Sequence, residues 1–264
     1  MNWTKSIAIN STLLLFSTAL LAQSALDGKW VVNFAKSKFP EDPIMYEVKN
    51  GIFQCQSCKP LLKCTADGKD YPVPDSKVGE SIAVKVIDSN TVNTIFKTRG
   101  KLTMERLKTV SPDGQTMTVK PVFYTLEGKP RKTADLVMKR TAPGAPGSHA
   151  ISGTWVLDQA ASHLTPIVYE FHTASDGMLH ETSPFVECVI NADGKKYPCK
   201  SSDGQPTFMS LRPTGPDTYE EVDWSEGRIT DVSVIKISSD HRTITAVDQD
   251  KTYNTTTTYV MEKQ

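Results

Sequence analysis

The sequence predicts an all-β protein built as two tandem antiparallel up-and-down β-barrels of about eight to ten strands each. Three observations carry that expectation. The stretch Ala66-Asp67-Gly68-Lys69-Asp70-Tyr71-Pro72 returns as Ala192-Asp193-Gly194-Lys195-Lys196-Tyr197-Pro198, and around each copy a unit of roughly a hundred residues repeats in register. Short runs rich in Val, Ile, Thr and aromatic residues alternate with turn dipeptides such as Asn50-Gly51, Asp67-Gly68, Arg99-Gly100 and Asp113-Gly114, as in strands joined by tight turns. In the last run Tyr253, Thr255, Thr257, Tyr259 and Met261 share one face while Asn254, Thr256, Thr258 and Val260 share the other, the two-residue period of a strand.

In chain order, Lys5 precedes an apolar run over 7–22 and the small residues Ala22-Gln23-Ser24-Ala25, the layout of a secretory signal over 1–24. Asn10, Ser11 and Thr12 interrupt the run, which falls short of about 18–20 uninterrupted apolar residues, so no stable membrane insertion is expected after cleavage. The product is expected to be secreted or periplasmic. A first barrel repeat is expected over 25–141, a Pro/Gly linker over 142–151 and a second barrel repeat over 152–264. Each repeat is long enough for its own core.

The repeats divide the charge unevenly. Residues 25–141 hold twenty Lys plus Arg against thirteen Asp plus Glu, a balance of +7; residues 142–264 hold nine against seventeen, a balance of −8. Docking between the basic first and acidic second repeat is one expectation; two independently solvated surfaces are the other. No nucleic-acid partner is expected, because the lysines of the first repeat are scattered and no aromatic platform lies between them.

Successive strands with short turns must be antiparallel neighbours, and closing such a meander removes its two long edges. Gly28-Lys29-Trp30 and Gly153-Thr154-Trp155, each at the start of a first strand, resemble the Gly-x-Trp opening of lipocalins and related calycin barrels. The fuller pattern, Gly-x-Trp followed by Ala-Asp-Gly-Lys-x-Tyr-Pro, is similar to that of uncharacterised exported bacterial proteins with lipocalin-like barrels. The resemblance implies a barrel and an Arg on the last strand against the Trp. Arg140 matches this in the first repeat, whereas Glu262-Lys263 departs from it in the second. The resemblance implies no activity.

Export makes disulfides permissible. If Asp193-Gly194 forms a two-residue hairpin turn, Cys188 falls opposite Cys199 and a structural disulfide between them is expected. The same count puts Leu62 opposite Val73 in the first repeat. Among Cys55, Cys58 and Cys64 a local disulfide with one cysteine left over is favoured over a zinc site, since no histidine precedes the linker in that repeat. His172 and His180 lie symmetrically about Asp176 and can face each other across a hairpin near Glu170 and Glu181, but spacing supplies no further ligand, so no metal is expected. Glu220, Glu221, Asp223 and Glu226 are divided between two faces by strand alternation and read as a solvated face. Asp248-Gln249-Asp250 lacks the Gly and Glu of a calcium loop. No catalytic residue and no cofactor site emerge, so the chain is read as a non-enzymatic binding module for a small apolar ligand within a barrel. The alternatives are a structural or interaction module with filled barrels and, more weakly, an enzyme whose residues converge only in three dimensions.

Overall fold

The computed structural model describes residues 24–74, 79–125, 127–132, 134–202 and 204–264; all but the last residue of the expected signal segment, 1–24, lie outside the described residues. The first half of the chain supplies β1 (Gly28–Val32), β2 (Ile44–Lys49), β3 (Ile52–Cys55), β4 (Leu62–Thr65), β5 (Asp67–Pro72), β6 (Ser81–Val86), β7 (Thr91–Thr98), β8 (Lys101–Val110), β9 (Thr116–Tyr124), β10 (Pro130–Lys132) and β11 (Ala134–Pro143). The second supplies β12 (Gly153–Leu157), β13 (His163–Leu164), β14 (Val168–Thr173), β15 (Leu179–Thr182), β16 (Val186–Ile190), β17 (Tyr197–Ser201), β18 (Pro206–Gly215), β19 (Thr218–Ser225), β20 (Arg228–Ile237), β21 (Thr243–Asp250) and β22 (Thr255–Lys263).

These strands form two antiparallel barrels, each on a ten-strand path. The alternation of apolar and polar residues drives this, because a strand with one apolar face must bury it. One barrel closes fully in the order β1-β14-β15-β16-β17-β18-β19-β20-β21-β22. The other runs β4-β3-β2-β12-β11-β9-β8-β7-β6-β5 and stops short of closure, with no ladder between β4 and β5. Leu62 and Val73 therefore do not pair across a hairpin as the turn count predicts. Both are buried in the core instead, and Asp67 starts a strand broken by a bulge before Asp70.

The barrels do not coincide with the repeats. β1, from the first repeat, lies between β14 and β22 of the closed barrel, with Trp30 opposite Tyr169 on one side and Lys263 on the other. β12, from the second repeat, lies between β11 and β2, with Trp155 opposite Arg140 and Ile44. Each repeat has thus given its opening strand to the other's barrel. We name the barrels by the repeat that supplies most of their strands.

The expected linker has a different place as a result. β11 and β12 are adjacent in the first barrel, so the Pro/Gly stretch between them is a hairpin loop at that barrel's far end and spaces nothing. It is tied down: His149 donates its backbone N–H to the Val48 carbonyl at 2.8 Å, and its ring nitrogen meets the Asp88 carbonyl oxygen at 2.6 Å. The chain passes between the barrels elsewhere, through residues 33–43 after β1 and residues 158–167 after β12. Both crossings join the same end of each barrel, so the two inner ends face each other. Gln159 Nε2 donates to the carbonyl oxygens of Phe34 and Ser37 from the other crossing, and Arg131 on β10 donates to the Pro184 carbonyl of the second barrel.

The Gly-x-Trp opening explains itself in this setting. Trp30 and Trp155 are fully buried, and each indole N–H donates to the carbonyl four residues earlier, Leu26 at 2.6 Å and Ile151 at 2.9 Å. The preceding glycines have φ of 133° and 135°, a region that side chains disfavour. A Cβ at Gly153 would stand 2.5 Å from the Ala142 oxygen and 2.6 Å from Arg140 Nη1, and one at Gly28 would stand 2.5 Å from Lys263 Cε. Two of those crowding groups, Arg140 and Lys263, are the cations that cover the rings. Arg140 lies 4.0 Å above Trp155 and Lys263 lies 5.0 Å above Trp30, so Lys263 does for one barrel what Arg140 does for the other. Both cation–ring pairs join residues of different repeats or of opposite chain ends.

Two disulfides are present. Cys188 and Cys199 face each other on β16 and β17 with Cα atoms 4.6 Å apart, the separation of a non-hydrogen-bonded antiparallel pair. Cys55 and Cys58 are bridged locally, and Cys64 is a buried free thiol, its pKa raised to about 11 by burial and the nearby Asp67 charge.

Candidate functional site

The outer ends of both barrels are apolar, with the Trp rings at their centre. At the inner ends the repeats part company. In the second barrel the inward phase of β20 runs Ile237, Ile235, Ser233, Asp231, and that of β21 runs Ile244, Ala246, Asp248: the same side of each strand turns from apolar to acidic as it nears the inner end. β19 presents Glu221 and Asp223 inward, paired with Ser233 and Asp231. β15 adds Glu181, opposite Cys188 and Phe171. Strand alternation does separate Glu220 from Glu221, and Glu220 is bound outside by Arg212 at 2.8 Å. The expected solvated face is nevertheless corrected: Glu221 and Asp223 share the inner face, and carboxylates from three other strands, β15, β20 and β21, join them.

Burial and mutual repulsion govern their chemistry. Glu181 is 3 % exposed, and its Oε2 has no hydrogen-bond partner. Burial, reinforced by the Asp223 charge, pushes its pKa up to about 8. Burial holds Glu221 well above the ordinary carboxylate range, with Glu181, Asp248 and Asp231 adding repulsion. Asp223 is raised in the same way, by burial and then by Glu221, Asp231 and Asp248. Burial takes Asp231 to about 6 against the opposing Thr230 hydrogen bond. Asp248, also raised mainly by burial, accepts from Ser233 Oγ at 2.9 Å. No cation stabilises the charged forms of Glu181, Glu221 or Asp223 among the described residues. Lys251, whose charge favours ionised Asp248, donates to Gln249 Oε1 at 2.5 Å.

Aromatic rings border the acids. Tyr169 stacks on Phe171 at 6.4 Å, and burial followed by the Glu181 charge raises its hydroxyl well above the usual phenol value. Tyr259 meets Phe39 edge-on at 5.8 Å, and Phe39 stacks on Phe34 at 6.0 Å. Phe34 and Phe39 belong to the first crossing, so the exchanged strand carries part of the wall. Tyr169, Tyr259, Glu221, Asp223, Asp231 and Asp248 are only half-buried. The inner end is therefore a solvent-reached mouth above the sealed Glu181.

The first barrel fills the equivalent end. Its pairs Thr94–Arg106, Phe96–Met104 and Arg106–Pro121 occupy the places of Glu221–Ser233, Asp223–Asp231 and Ser233–Asp248. Thr94, Phe96, Met104 and Pro121 thus stand at the places of the acids, and Arg106 at that of Ser233. Lys108 is buried, donates to Thr94 Oγ1 at 2.7 Å and lies 5.4 Å from the Tyr46 ring centre. Burial and the Arg106 charge hold its pKa well below the usual value. The Arg106 charge also opposes the burial-driven rise of Tyr253, in the β21–β22 turn of the second barrel. Arg106 consequently stands where the barrels meet.

His172 and His180 do face each other, with ring centres 6.4 Å apart. They lie on the outer face, whereas Glu181 points inward from the next position. Among the described residues no group of three or more His, Cys, Asp or Glu is placed to hold a metal ion. Asp248 and Asp250 lie on a regular strand, paired with Ser233 and Asp231. A shallow cleft of about 470 Å³ runs over β15–β17, lined by His180, Glu187, Pro198 and Lys200 and backed by the disulfide. Comparison with known family models, curated proteins and solved structures finds no match to this chain.

Proposed function

We propose that this protein is an exported, non-enzymatic tandem β-barrel binding module that receives a small ligand, with an apolar body, in the inner end of the second barrel. One observation carries the reading: Glu181 is buried with an unpartnered oxygen at the base of a half-solvated mouth, where the first barrel has Phe96, Met104 and Pro121. A buried polar oxygen without a partner costs about 1–3 kcal/mol, a cost that a ligand donor removes. Tyr169 and Tyr259 offer ring faces to an apolar body. The first barrel is the filled one, and its role is to hold β12 and position the first crossing. The two disulfides suit an oxidising compartment outside the cytoplasm.

The test uses the full mature chain and a neutral apolar fluorophore, N-phenyl-1-naphthylamine. Saturable binding should draw energy transfer from Trp30 and Trp224, which both sit in the second barrel, and Trp30→Phe combined with Trp224→Phe should remove it while Trp155→Phe leaves it. Transfer that survives the double substitution would move the ligand out of the second barrel. Failure of both neutral and cationic naphthyl compounds to saturate would leave the filled-barrel interaction module.

A further inference from the structure

We infer that the ligand of the second barrel is an organic cation, an N–H-bearing ammonium on an apolar body, whose charged head is held by Glu181, Glu221 and Asp223. The inference rests on the binding reading above and adds the chemistry of the head group.

The three carboxyls come from β15 and β19, on opposite parts of the barrel wall, and turn into one interior. Left alone they oppose each other, and the directly facing pair Asp223–Asp231 adds like charge across a ladder. A buried carboxyl avoids the cost of its charge either by keeping a proton or by gaining a counter-charge, and an arriving cation supplies the second. Among the described residues no basic group compensates these three. The unpartnered Glu181 Oε2 is the point at which a donor is missing.

The head is an ammonium rather than a metal ion. The acids do not converge in threes at metal distance, and a hard cation asks for six or more oxygens. An ammonium presents three donors that can reach separate acceptors, and its flanks suit the faces of Tyr169 and Tyr259. The first barrel supports the assignment from the other side. The first barrel has no acid at the equivalent places and carries Arg106 at the Ser233 position among them, with Lys108 one inward position deeper, so a cation arriving between the facing ends is repelled from one and drawn into the other.

Calorimetric titration of the mature chain with 1-naphthylmethylamine, its neutral isostere 1-naphthylmethanol, and calcium chloride decides the matter. The amine should bind saturably at one site, at least tenfold more tightly than the alcohol. Glu181→Gln should weaken the amine at least tenfold and leave the alcohol within about twofold, while Glu187→Gln on the outer face should change neither. Should Glu181→Gln fail to fold, Asp223→Asn is read in the same way. Equal binding of amine and alcohol would overturn the cation and leave the binding module standing. Absence of binding by both would overturn the two together. Calcium binding that is lost in Glu181→Gln and competes with the amine would overturn the ammonium in favour of a metal. An amine affinity indifferent to both substitutions would place the cation elsewhere and sink the assignment.

Discussion

Glu181 makes a prediction in the absence of any ligand. Its native pKa, about 8, is raised above the ordinary 4.5, so between those values the native state holds a proton that the unfolded chain releases. Stability is therefore greatest below the ordinary value and falls as pH rises through the native one. Asp231, raised from 3.8 to about 6, acts in the same direction within the lower part of that window. Urea titrations from pH 4 to pH 9 should show a decline on the order of a few kcal/mol. Glu181→Gln should flatten it, and an unchanged slope would remove the buried carboxyl as its cause. Arg140 offers a second test at this scale. Its guanidinium donates to the carbonyls of Gly114, Ser152 and Ala150 and covers Trp155. Arg140→Ala should cost the first barrel roughly 3 kcal/mol by urea titration. Arg140→Lys should lose less, since Lys263 already fills that role over Trp30.

Among the elements, the strands were the most readable part of the chain. The alternation read over Tyr253 to Met261 places β22 within two residues of its observed bounds, because burial on one face leaves its record residue by residue. Strand exchange left no such record. Gly28-Lys29-Trp30 and Gly153-Thr154-Trp155 carry the same signal, and either satisfies either barrel; only the lengths of residues 33–43, 144–152 and 158–167 choose between the two connections. The acidic mouth was half legible. Following the apolar phase of β20 from Ile237 to Asp231 shows acids on the core side, but that phase gives no account of which strands meet across the barrel. The β16–β17 hairpin gives a third prediction. Cys188→Ser should cost toward the lower end of about 2–4 kcal/mol, since the closed loop is short, and non-reducing peptide mapping of the parent should recover Cys188 joined to Cys199. A fourth follows from exchange itself: Trp30→Ala, a substitution in the first repeat, should loosen the second barrel by about 3–5 kcal/mol, seen as loss of amide protection in β14 and β22 before β8 and β9.

For the whole molecule, exchange changes what a cut in the Pro/Gly loop can do. Ala145 to Gly147 are exposed, and limited proteolysis should cleave there first. Because each fragment then holds a strand of the other's barrel, the nicked protein should elute as one species and separate only in denaturant. Two folded halves that part under native conditions would contradict the observed connections. Expressed alone, the segment 25–141 lacks β12 and carries a free β1, so it should pair with a second copy through β1.

The first strand of the described residues also sets when the chain can finish folding. β1 leaves any ribosome or export channel early, yet its partners are β14 and β22, and Trp30 sits opposite Lys263, next to the last residue. The first barrel waits only for β12 and β13, and its strands are complete at Leu164. The second core cannot close until β22 has emerged. β1 stays unpaired until Tyr169 arrives and lacks its second neighbour until Lys263 does, spans over which long-range pairing is slow and exposed edges aggregate. A holding chaperone while the chain emerges, and a yield that falls with crowding at that stage, are what this architecture asks of the cell that makes it.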